Sequence, residues 1–412
     1  MTIAEALADW ARTADPGPED FALADRSLLD TVAVALAART HPIRPVVDAL
    51  DHEVGRWAAL AHVIDFDDLH LPSTSHISTV CVPVALATTE QDPQLAAATY
   101  LAGAGVMARL ATALGWQHYT RGWHATTTSG AAAAAVVAGL AWGLTQDQLC
   151  TAIALAIPAS GGVQRAFGTD AKSLQVGLAA QAGLQAARLA AAGASADPRA
   201  VEAWMRLLGG DPDHPLVVNP GSDPAMVPDG LAIKIYPACY ALQRPIGALR
   251  ETVGGPVHVD DVVAIRLTTP RDTVTPLVHH RPQTGLEGKF SLEYAAATAL
   301  LDRHCGFQAF EDEAVNRAEA RHLMGLTQIV LTDGAGGDGL LDGAVQVEVD
   351  LRHGRTVTGS LDVPPGSPGK PPTAMEMEAK VRDCLDLGEI GGLTPADISW
   401  TTATGLLRTH LP

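Results

Sequence analysis

The chain has 412 residues, 47% of them apolar and 4% aromatic, and a formal net charge of −18. The apolar content excludes a wholly disordered chain, and so few aromatic residues predict an interior of alanine and leucine in closely packed helices. Because nucleic-acid binding depends on clustered Lys and Arg, this acidic chain without a basic run predicts no nucleic-acid partner.

The cysteine pattern and the N-terminal residues indicate where the protein works. Five cysteines are scattered without a CxxC pair, which favours reduced thiols in a cytoplasmic protein over a disulfide framework or a zinc ribbon. Glu5 and Asp9 occupy the region where a secretory signal carries basic and then apolar residues. The uncharged stretch 122–146 is rich in Ala and Gly and too weakly apolar to predict a membrane span, so no membrane association is expected.

The first half of the chain has a helical period. Apolar residues recur at three- and four-residue spacing from about residue 3 to 220. Thr145 and Gln148 form a capping-box pattern, and the helix that it opens should end near Pro158, whose ring excludes a helix interior. A second long helix is expected from about residue 172 to 192.

The period changes after a segment rich in Pro, Gly and Asp at 211–230, which predicts a linker. A helix is expected at 292–302, and a second linker at 363–372 precedes a helix at 374–386. The stretches 262–268 and 328–332 are β-like and predict two strands. Alternating apolar residues predict two more, 344–351 and 356–361, joined by a turn as a hairpin.

The order of these elements predicts a helical domain, an α+β insertion and a short helical return. A chain of this length is expected to form two or three folded units. The predicted boundaries are 1–228 for the first part of the helical domain, 229–368 for the α+β domain and 369–412 for the return to the helical domain.

A first candidate site lies at 65–79, where Asp65 precedes His70 and His76. Carboxylates and imidazoles at this spacing suit acid–base chemistry or a metal ion, although the spacing matches no strong metal motif. The alternative is that the polar residues only cap helices and form turns. The residues that this alternative explains are Asp67, Asp68, Ser73 and Ser75.

A second candidate lies at 121–130, where His124 and Thr126 precede an alanine-rich helix. The free amides and positive partial charge of a helix N-terminus suit a carboxylate, and His124 could donate to the same ligand. The alternative is that Thr128 or Ser129 only caps the helix while His124 lies in the core.

Two lysines mark the remaining candidates. Lys172 stands at a predicted helix start, where a cation opposes the helix dipole. Either binding of an anion or an ion pair with Asp170 would explain a lysine at this position. Lys234 follows the first linker and could close over a ligand, or it could be an ordinary exposed lysine. Cys239 lies close by, but no base that would activate its thiol is identifiable in the sequence.

Together these four segments resemble the MmgE/PrpD family, which includes 2-methylcitrate dehydratase, cis-aconitate decarboxylase and iminodisuccinate epimerase. The likeness extends from about residue 3 to 385. It rests on the order and separation of these segments, on the segment 289–294 and on the linker ending at Pro372. The resemblance implies a mainly α fold: a large all-helical domain formed by both chain ends, plus a smaller α+β lid domain. It also implies a homodimer that needs no metal and no organic cofactor.

The resemblance further implies which residues act. The implied catalytic residues are Asp65, His76, His124, Lys172, Lys234 and Tyr294. The candidate substrate-binding residues are His70, Thr126, Lys172, Lys234 and Cys239. The chain departs from the family pattern at four positions, which predicts a substrate other than the standard ones of the family: Leu69, Ala125, Gln175 and Gln243.

The expected function is that of a lyase acting on a small di- or tricarboxylate by proton transfer at the carbon next to a carboxylate. Lysines would neutralise the developing charge, and histidines, which titrate near neutral pH, would move protons. Dehydration and decarboxylation both remain open. Two alternatives remain: an epimerase or isomerase of an iminodisuccinate-type substrate, and a non-catalytic binding member of the family, since a fold alone does not fix function.

Overall fold

The protein is mainly α, as predicted. A computed structural model describes residues 1–89, 92–274, 276–333 and 343–412. Its α-helices are α1 (Ile3–Thr13), α2 (Pro18–Ala37), α3 (Arg44–Val47), α4 (Glu53–Val63), α5 (Ser78–Thr89), α6 (Pro93–Thr120), α7 (Ala125–Ala141), α8 (Gln146–Ala156), α9 (Ala171–Ala191), α10 (Ala200–Leu208), α11 (Pro215–Val218), α12 (Gln243–Val253), α13 (Gly285–Gly288), α14 (Leu292–Leu301), α15 (Asp312–Asn316), α16 (Ala318–Leu326), α17 (Ala374–Leu387) and α18 (Ala403–His410).

The chain forms two compact units. The first contains residues 1–233 and 384–412, and the second contains residues 234–383. The first unit is helical, whereas the second combines helices with a four-stranded sheet.

The core of the first unit is built around α7 and α9, which pack against each other, while α5, α6 and α8 also cover α7. Every residue of α7 from Ala125 to Gly139 is buried. A Cβ atom at Gly183 of α9 would collide with the backbone carbonyl of Ala131, so the missing side chain lets the two helices approach closely. Small residues therefore supply the close packing that the composition predicts.

The predicted helix boundaries in this unit agree with the structure. Thr145 accepts a hydrogen bond from the backbone of Gln148, whose side chain accepts one in return from the Thr145 amide, so the capping box of α8 is present. The helix ends at Ala156, two residues before Pro158. The second long helix, α9, begins at Ala171, one residue earlier than predicted.

One helix of the described residues, α6, is long and apolar enough to cross a membrane. Within its apolar window, 83% of the residues are buried inside the protein. Burial of this kind is typical of a core helix, whose apolar side chains face other parts of the same chain.

The segment 211–230 was expected to be a linker, but it packs as part of the first unit. The buried guanidinium of Arg109 in α6 donates to backbone carbonyls of this segment, and its planar group lies 3.9 Å from the ring of Trp10. The five N–H groups of an arginine can satisfy several carbonyls that have no partner in regular secondary structure. The carbonyls that accept from Arg109 include those of Pro220, Ala225 and Met226.

The second unit contains a mixed sheet of four strands: β1 (Val262–Pro270), β2 (Thr327–Thr332), β3 (Val345–Leu351) and β4 (Arg355–Leu361). Their order across the sheet is β2-β1-β3-β4, with β1 parallel to β2 and antiparallel to β3. The predicted hairpin is confirmed, since β3 and β4 pair antiparallel from Val345 and Leu361 to Leu351 and Arg355. The alternation of apolar and polar residues thus gave the correct strands and pairing for the hairpin.

Helices α12, α14 and α16 cover the sheet and form its core with it. Val345, Val347 and Val349 of β3 are buried, whereas the residues between them are more exposed. This period of two is what a sheet with one covered face requires.

A buried polar group supports the start of α5. The backbone N–H of Ser78 donates to Asp68 Oδ1 at 3.2 Å, and the Ser78 hydroxyl donates to Oδ2. Asp68 is therefore the helix cap that the sequence offered as one interpretation of this segment. Burial, together with the neighbouring carboxylates of Asp30 and Asp67, raises the pKa of Asp68 to about 7 although the bonds from Ser78 favour ionisation.

We expect Asp68→Asn to stabilise the protein more at alkaline than at acidic pH. Because the folded-state pKa is raised, the wild type loses stability as the pH rises toward 7, whereas Asn keeps both contacts with Ser78 and carries no charge. The gain in free energy of unfolding should be about 2–3 kcal/mol larger at pH 8 than at pH 5. Urea unfolding at the two pH values measures it, with Asp15→Asn on the surface as the control. An equal effect at both pH values would contradict this assignment.

Candidate active site

The carboxylate of Asp67 lies between two imidazoles in the first unit. Asp67 Oδ2 is 2.7 Å from His62 Nδ1 and 3.1 Å from His76 Nδ1. Asp67 and His62 are fully buried, and the two rings meet edge to face with their centroids 4.7 Å apart. One carboxylate therefore faces two imidazoles, away from water.

The local chain path explains why His62 and Asp67 meet. His62 lies in the last turn of α4, and Asp65 then takes a left-handed conformation with φ 57°. Aspartate tolerates this region better than most residues. The helix therefore stops there, and the chain reverses so that Asp67 faces the histidine five positions before it.

His76 is held against α7 by its backbone. Its N–H donates to the Thr126 hydroxyl at 3.0 Å, and Thr126 lies buried in the first turn of that helix. Thr126 was predicted to bind substrate, and in the structure its hydroxyl is an acceptor for His76. Its contact with substrate stays a prediction.

His124, directly before α7, completes a group of three imidazoles. Its ring stacks on His62 with the centroids 5.7 Å apart and meets Phe167 edge to face at 5.0 Å. The side-chain amide of Gln175 in α9 donates to His124 Nδ1 at 2.7 Å. His62, His76 and His124 therefore share one buried cluster, although they come from separate segments of the chain.

Lys172 stands at the start of α9 and pairs with Asp65, whose Oδ1 lies 2.8 Å from the ammonium. The pair with Asp170 that the sequence offered is not the contact seen. The side chain of Lys172 is 18% exposed and that of Asp65 is 37% exposed. Since a cation at a helix N-terminus opposes the dipole, the Asp65 carboxylate compensates for an unfavourable position.

Burial and charge fix the protonation states of the cluster. Burial opposes ionisation of Asp67, but His62 and His76 outweigh it and hold the pKa of the carboxyl well below its usual range. Burial lowers the pKa of His62 to about 4 although Asp67 opposes this shift. Burial, together with His62, Lys172 and His76, also holds the pKa of His124 well below its usual range. At neutral pH the cluster therefore contains an ionised Asp67 and neutral His62 and His124.

A metal ion is the other ligand that this donor set suggests. One donor atom each of His62, Asp67 and His76 lies within 4.8 Å of the others. Ligands of a tetrahedral zinc ion lie about 3.3 Å apart, given bonds of about 2 Å, whereas His62 Nδ1 and Asp67 Oδ2 are at a hydrogen-bond distance of 2.7 Å. We therefore interpret the contact between His62 and Asp67 as a hydrogen bond, and the expected independence of metal stays a prediction.

His70, another predicted substrate-binding residue, is engaged inside the first unit. Its Nδ1 lies 2.7 Å from the Ser73 hydroxyl, and its Nε2 lies 2.9 Å from the Pro228 carbonyl. The ring is fully buried, and burial lowers its pKa to about 4. These contacts hold the loop before α5, and a contact of His70 with substrate stays a prediction.

The remaining predicted residues belong to the second unit. Lys234 is buried, and the backbone beside it is fixed by Gln243, whose side chain accepts from the amides of Ile235 and Tyr236 at 2.9 and 3.0 Å. The buried ammonium of Lys380 donates to the Lys234 carbonyl at 2.9 Å. The side chain of Gln243 thus stabilises the backbone that follows Lys234.

Tyr294 lies in the core of the second unit, where its hydroxyl donates to the Ala309 carbonyl and burial raises its pKa. Cys239 is partly buried, and its amide donates to the Lys289 carbonyl at 3.1 Å. The predicted roles of Tyr294, Cys239 and Lys234 at the active site stay predictions.

Sequence reasoning missed His62 and treated Asp67 only as a cap or turn former. His62 is surrounded by apolar residues in the last turn of a helix, so it looks like an ordinary core histidine. The available signal was the five-residue spacing to Asp67 across a helix end, since a helix that stops there can bring the two side chains together.

Two family models match most of the chain. That of the MmgE/PrpD N-terminal domain matches residues 56–210, and that of the MmgE/PrpD C-terminal domain matches residues 236–389. The chain belongs to the MmgE/PrpD family. The cluster around Asp67, with His124 and Lys172, lies inside the first match, whereas Lys234 falls between the two.

Relatives of this family member include cis-aconitate decarboxylases from a fungus and a mammal. The protein from Aspergillus terreus is 23% identical over 393 residues, covering 87% of this chain and 78% of the relative. The protein from Mus musculus is 24% identical over 349 residues, covering 78% of this chain and 69% of the relative. The family and these relatives support a lyase-like function at the level of the family.

We expect His62→Gln to weaken the acid sensitivity of folding. The pKa of His62 is about 4 in the folded protein, compared with an ordinary value of 6.5. The contribution of neutral His62 to the free energy of unfolding is therefore fully present above pH 6.5 and is lost as the pH falls toward 4. Between pH 7 and pH 5 the variant should lose about 2 kcal/mol less than the wild type. Urea unfolding at both pH values measures this difference.

His258→Gln provides the matched control, because it removes an exposed histidine from the second unit. If the wild type and His62→Gln lose the same free energy of unfolding between the two pH values, His62 is not buried as a neutral imidazole.

Proposed function

We propose that the protein is a cofactor-independent lyase that acts on a small di- or tricarboxylate by proton transfer at the carbon next to a carboxylate. The observation that supports this most is the buried carboxylate of Asp67 beside His76, with Lys172 and His124 in the same unit. Such a set contains a base, a cation and a second imidazole, which are the groups that removal of a proton from carbon requires.

His76 is the imidazole best placed to exchange a proton with a ligand. It is 9% exposed, compared with 2% for His124 and 0% for His62. The Asp67 carboxylate, 3.1 Å from His76 Nδ1, favours a proton on that nitrogen and leaves the lone pair on Nε2. A carboxylate that orients an imidazole in this way also stabilises the imidazolium formed when Nε2 takes a proton.

The charge that develops on the substrate needs a nearby cation. Lys172 supplies one, and Asp65 holds its ammonium in place at 2.8 Å. The N-terminus of α7, which follows His124 directly, adds positive partial charge from its free amides. In this proposal both features bind the carboxylates of the substrate and stabilise an enediolate-like state.

The candidate reactions differ in which group leaves the substrate and in where a proton is added. Loss of hydroxide gives dehydration, loss of carbon dioxide followed by protonation gives decarboxylation, and protonation on the opposite face gives epimerisation. The relatives named above are cis-aconitate decarboxylases, which favours a lyase over the alternative epimerase of an iminodisuccinate-type substrate.

We also propose that the protein is a homodimer in the cytoplasm.

A non-catalytic binding protein is the second candidate. Leu69 and Gln175 differ from the residues common in the family, and residue changes near a site can remove activity while the fold persists. The presence of Asp67, His76 and Lys172 in one unit argues for an enzyme, because a protein that only binds carboxylates has no need for an oriented imidazole.

Proton NMR in deuterium oxide tests the reaction directly. Purified protein is incubated separately with 2-methylcitrate, cis-aconitate and iminodisuccinate, and the spectra show exchange at carbon, loss of a group or inversion. We expect turnover of at least one of these small polycarboxylates. Binding in a thermal-shift assay without exchange, loss or inversion in this panel would favour the non-catalytic candidate.

His76→Gln should lower kcat for the accepted substrate by at least about a hundredfold, because general acid–base groups contribute factors of about 10² to 10⁴. Substrate binding should change much less, since Lys172 and the N-terminus of α7 are unaltered. Initial rates and thermal shifts measure the two effects, and His258→Gln serves as the matched control. A variant with the wild-type rate would exclude His76 as the base.

A further inference from the structure

The side chain of Gln175 is held from two sides. Its Oε1 accepts a hydrogen bond from the backbone N–H of Val163 at 3.1 Å, and its Nε2 donates to His124 Nδ1 at 2.7 Å. A backbone N–H can only donate, so it fixes which end of the amide is oxygen. The NH₂ group must then face His124.

The backbone that fixes Gln175 is itself well anchored. Residues 122–124 and 162–164 run side by side: His124 N–H donates to the Gly162 carbonyl at 3.1 Å, and Gln164 N–H donates to the Gly122 carbonyl at 2.8 Å. Gly162 has φ 104°, and a Cβ atom there would collide with Thr127. This close approach places the Val163 amide over Gln175 and leaves the glutamine no freedom to reverse its amide.

We infer that Gln175 is a positioning residue that fixes His124 as a neutral imidazole with its proton on Nε2, so that His124 donates a hydrogen bond to a carboxylate of the substrate. The NH₂ group of Gln175 can only donate, so Nδ1 of His124 must carry the lone pair. A neutral ring then has its one proton on Nε2. This inference rests on the proposed function and separates the roles of two histidines that the sequence left undivided.

His76 and His124 thus have groups of opposite hydrogen-bonding character beside their Nδ1 atoms. The Asp67 carboxylate beside His76 Nδ1 can only accept, which leaves Nε2 of His76 as a base. The amide beside His124 Nδ1 can only donate, which makes Nε2 of His124 a donor. A histidine at position 175 could donate or accept and would not impose this choice, so the amide of Gln175 is what fixes the tautomer.

Nitrogen-15 NMR of protein labelled at histidine tests the inference without any substrate. The signals of His124 are identified by their loss in His124→Gln, and the shifts of Nδ1 and Nε2 show which nitrogen carries the proton at neutral pH. We expect a protonated Nε2 and an unprotonated Nδ1 in the wild type. A wild-type His124 with its proton on Nδ1, or on both nitrogens, would overturn the inference.

Gln175→Glu supplies the second arm, because the carboxylate keeps the contact with Val163 N–H but can no longer donate. We expect the proton of His124 to move to Nδ1 or the ring to become doubly protonated. Gln94→Glu, which adds the same charge at an exposed position in the first turn of α6, should leave the His124 signals unchanged. An unchanged His124 in folded Gln175→Glu would also overturn the inference.

Turnover separates this inference from the proposed function. With an accepted polycarboxylate, Gln175→Glu should raise KM about tenfold to a hundredfold, as expected for losing a hydrogen bond to a charged group. Gln94→Glu should keep the wild-type KM. If no polycarboxylate reacts but the NMR shows the proton on Nε2, the proposed function fails while the tautomer assignment stands; a wild-type KM in Gln175→Glu contradicts the role of His124 as donor.

Discussion

A single buried carboxylate, that of Asp67, holds the imidazole cluster of the first unit together. It faces His62 at 2.7 Å and His76 at 3.1 Å, and these contacts keep it ionised although burial alone would favour its neutral form. Without a negative charge at this point, two imidazoles would lie against each other with no acceptor for their Nδ1 protons. The orientation of His76, and with it the proposed base, depends on this charge.

The helices of the first unit bring the other groups to this carboxylate. His62 comes from the end of α4, His124 stands directly before α7, and Lys172 and Gln175 come from the start of α9. The close packing of α7 on α9, which small residues permit, sets the distance between His124 and Gln175. The alanine-rich core therefore holds three separate segments of the proposed active site at fixed distances from one another. The polar residues at the helix ends determine whether each imidazole nitrogen donates or accepts a hydrogen bond.

The sequence predicted local features well and pairings between distant residues poorly. The capping box of α8, the start of α9 and the hairpin of β3 and β4 follow from short-range periodicity and turn chemistry, so they could be read from a few residues each. Asp65 pairs with Lys172, which is 107 positions away, and no local pattern encodes that contact. The part of Lys234 and Tyr294 in the reaction rests on family resemblance and stays a prediction.

The ionisation state of Asp67 is the most direct test of this account. Carbon-13 NMR of protein labelled at aspartate, with the Asp67 signal identified by its loss in Asp67→Asn, follows the carboxyl as the pH is lowered from about 7 to about 5. We expect the signal to remain that of an ionised carboxylate throughout, because His62 and His76 stabilise the charge. A carboxyl that is neutral at pH 7, or that gains its proton within this range, would contradict the account, since it would show that burial outweighs both imidazoles.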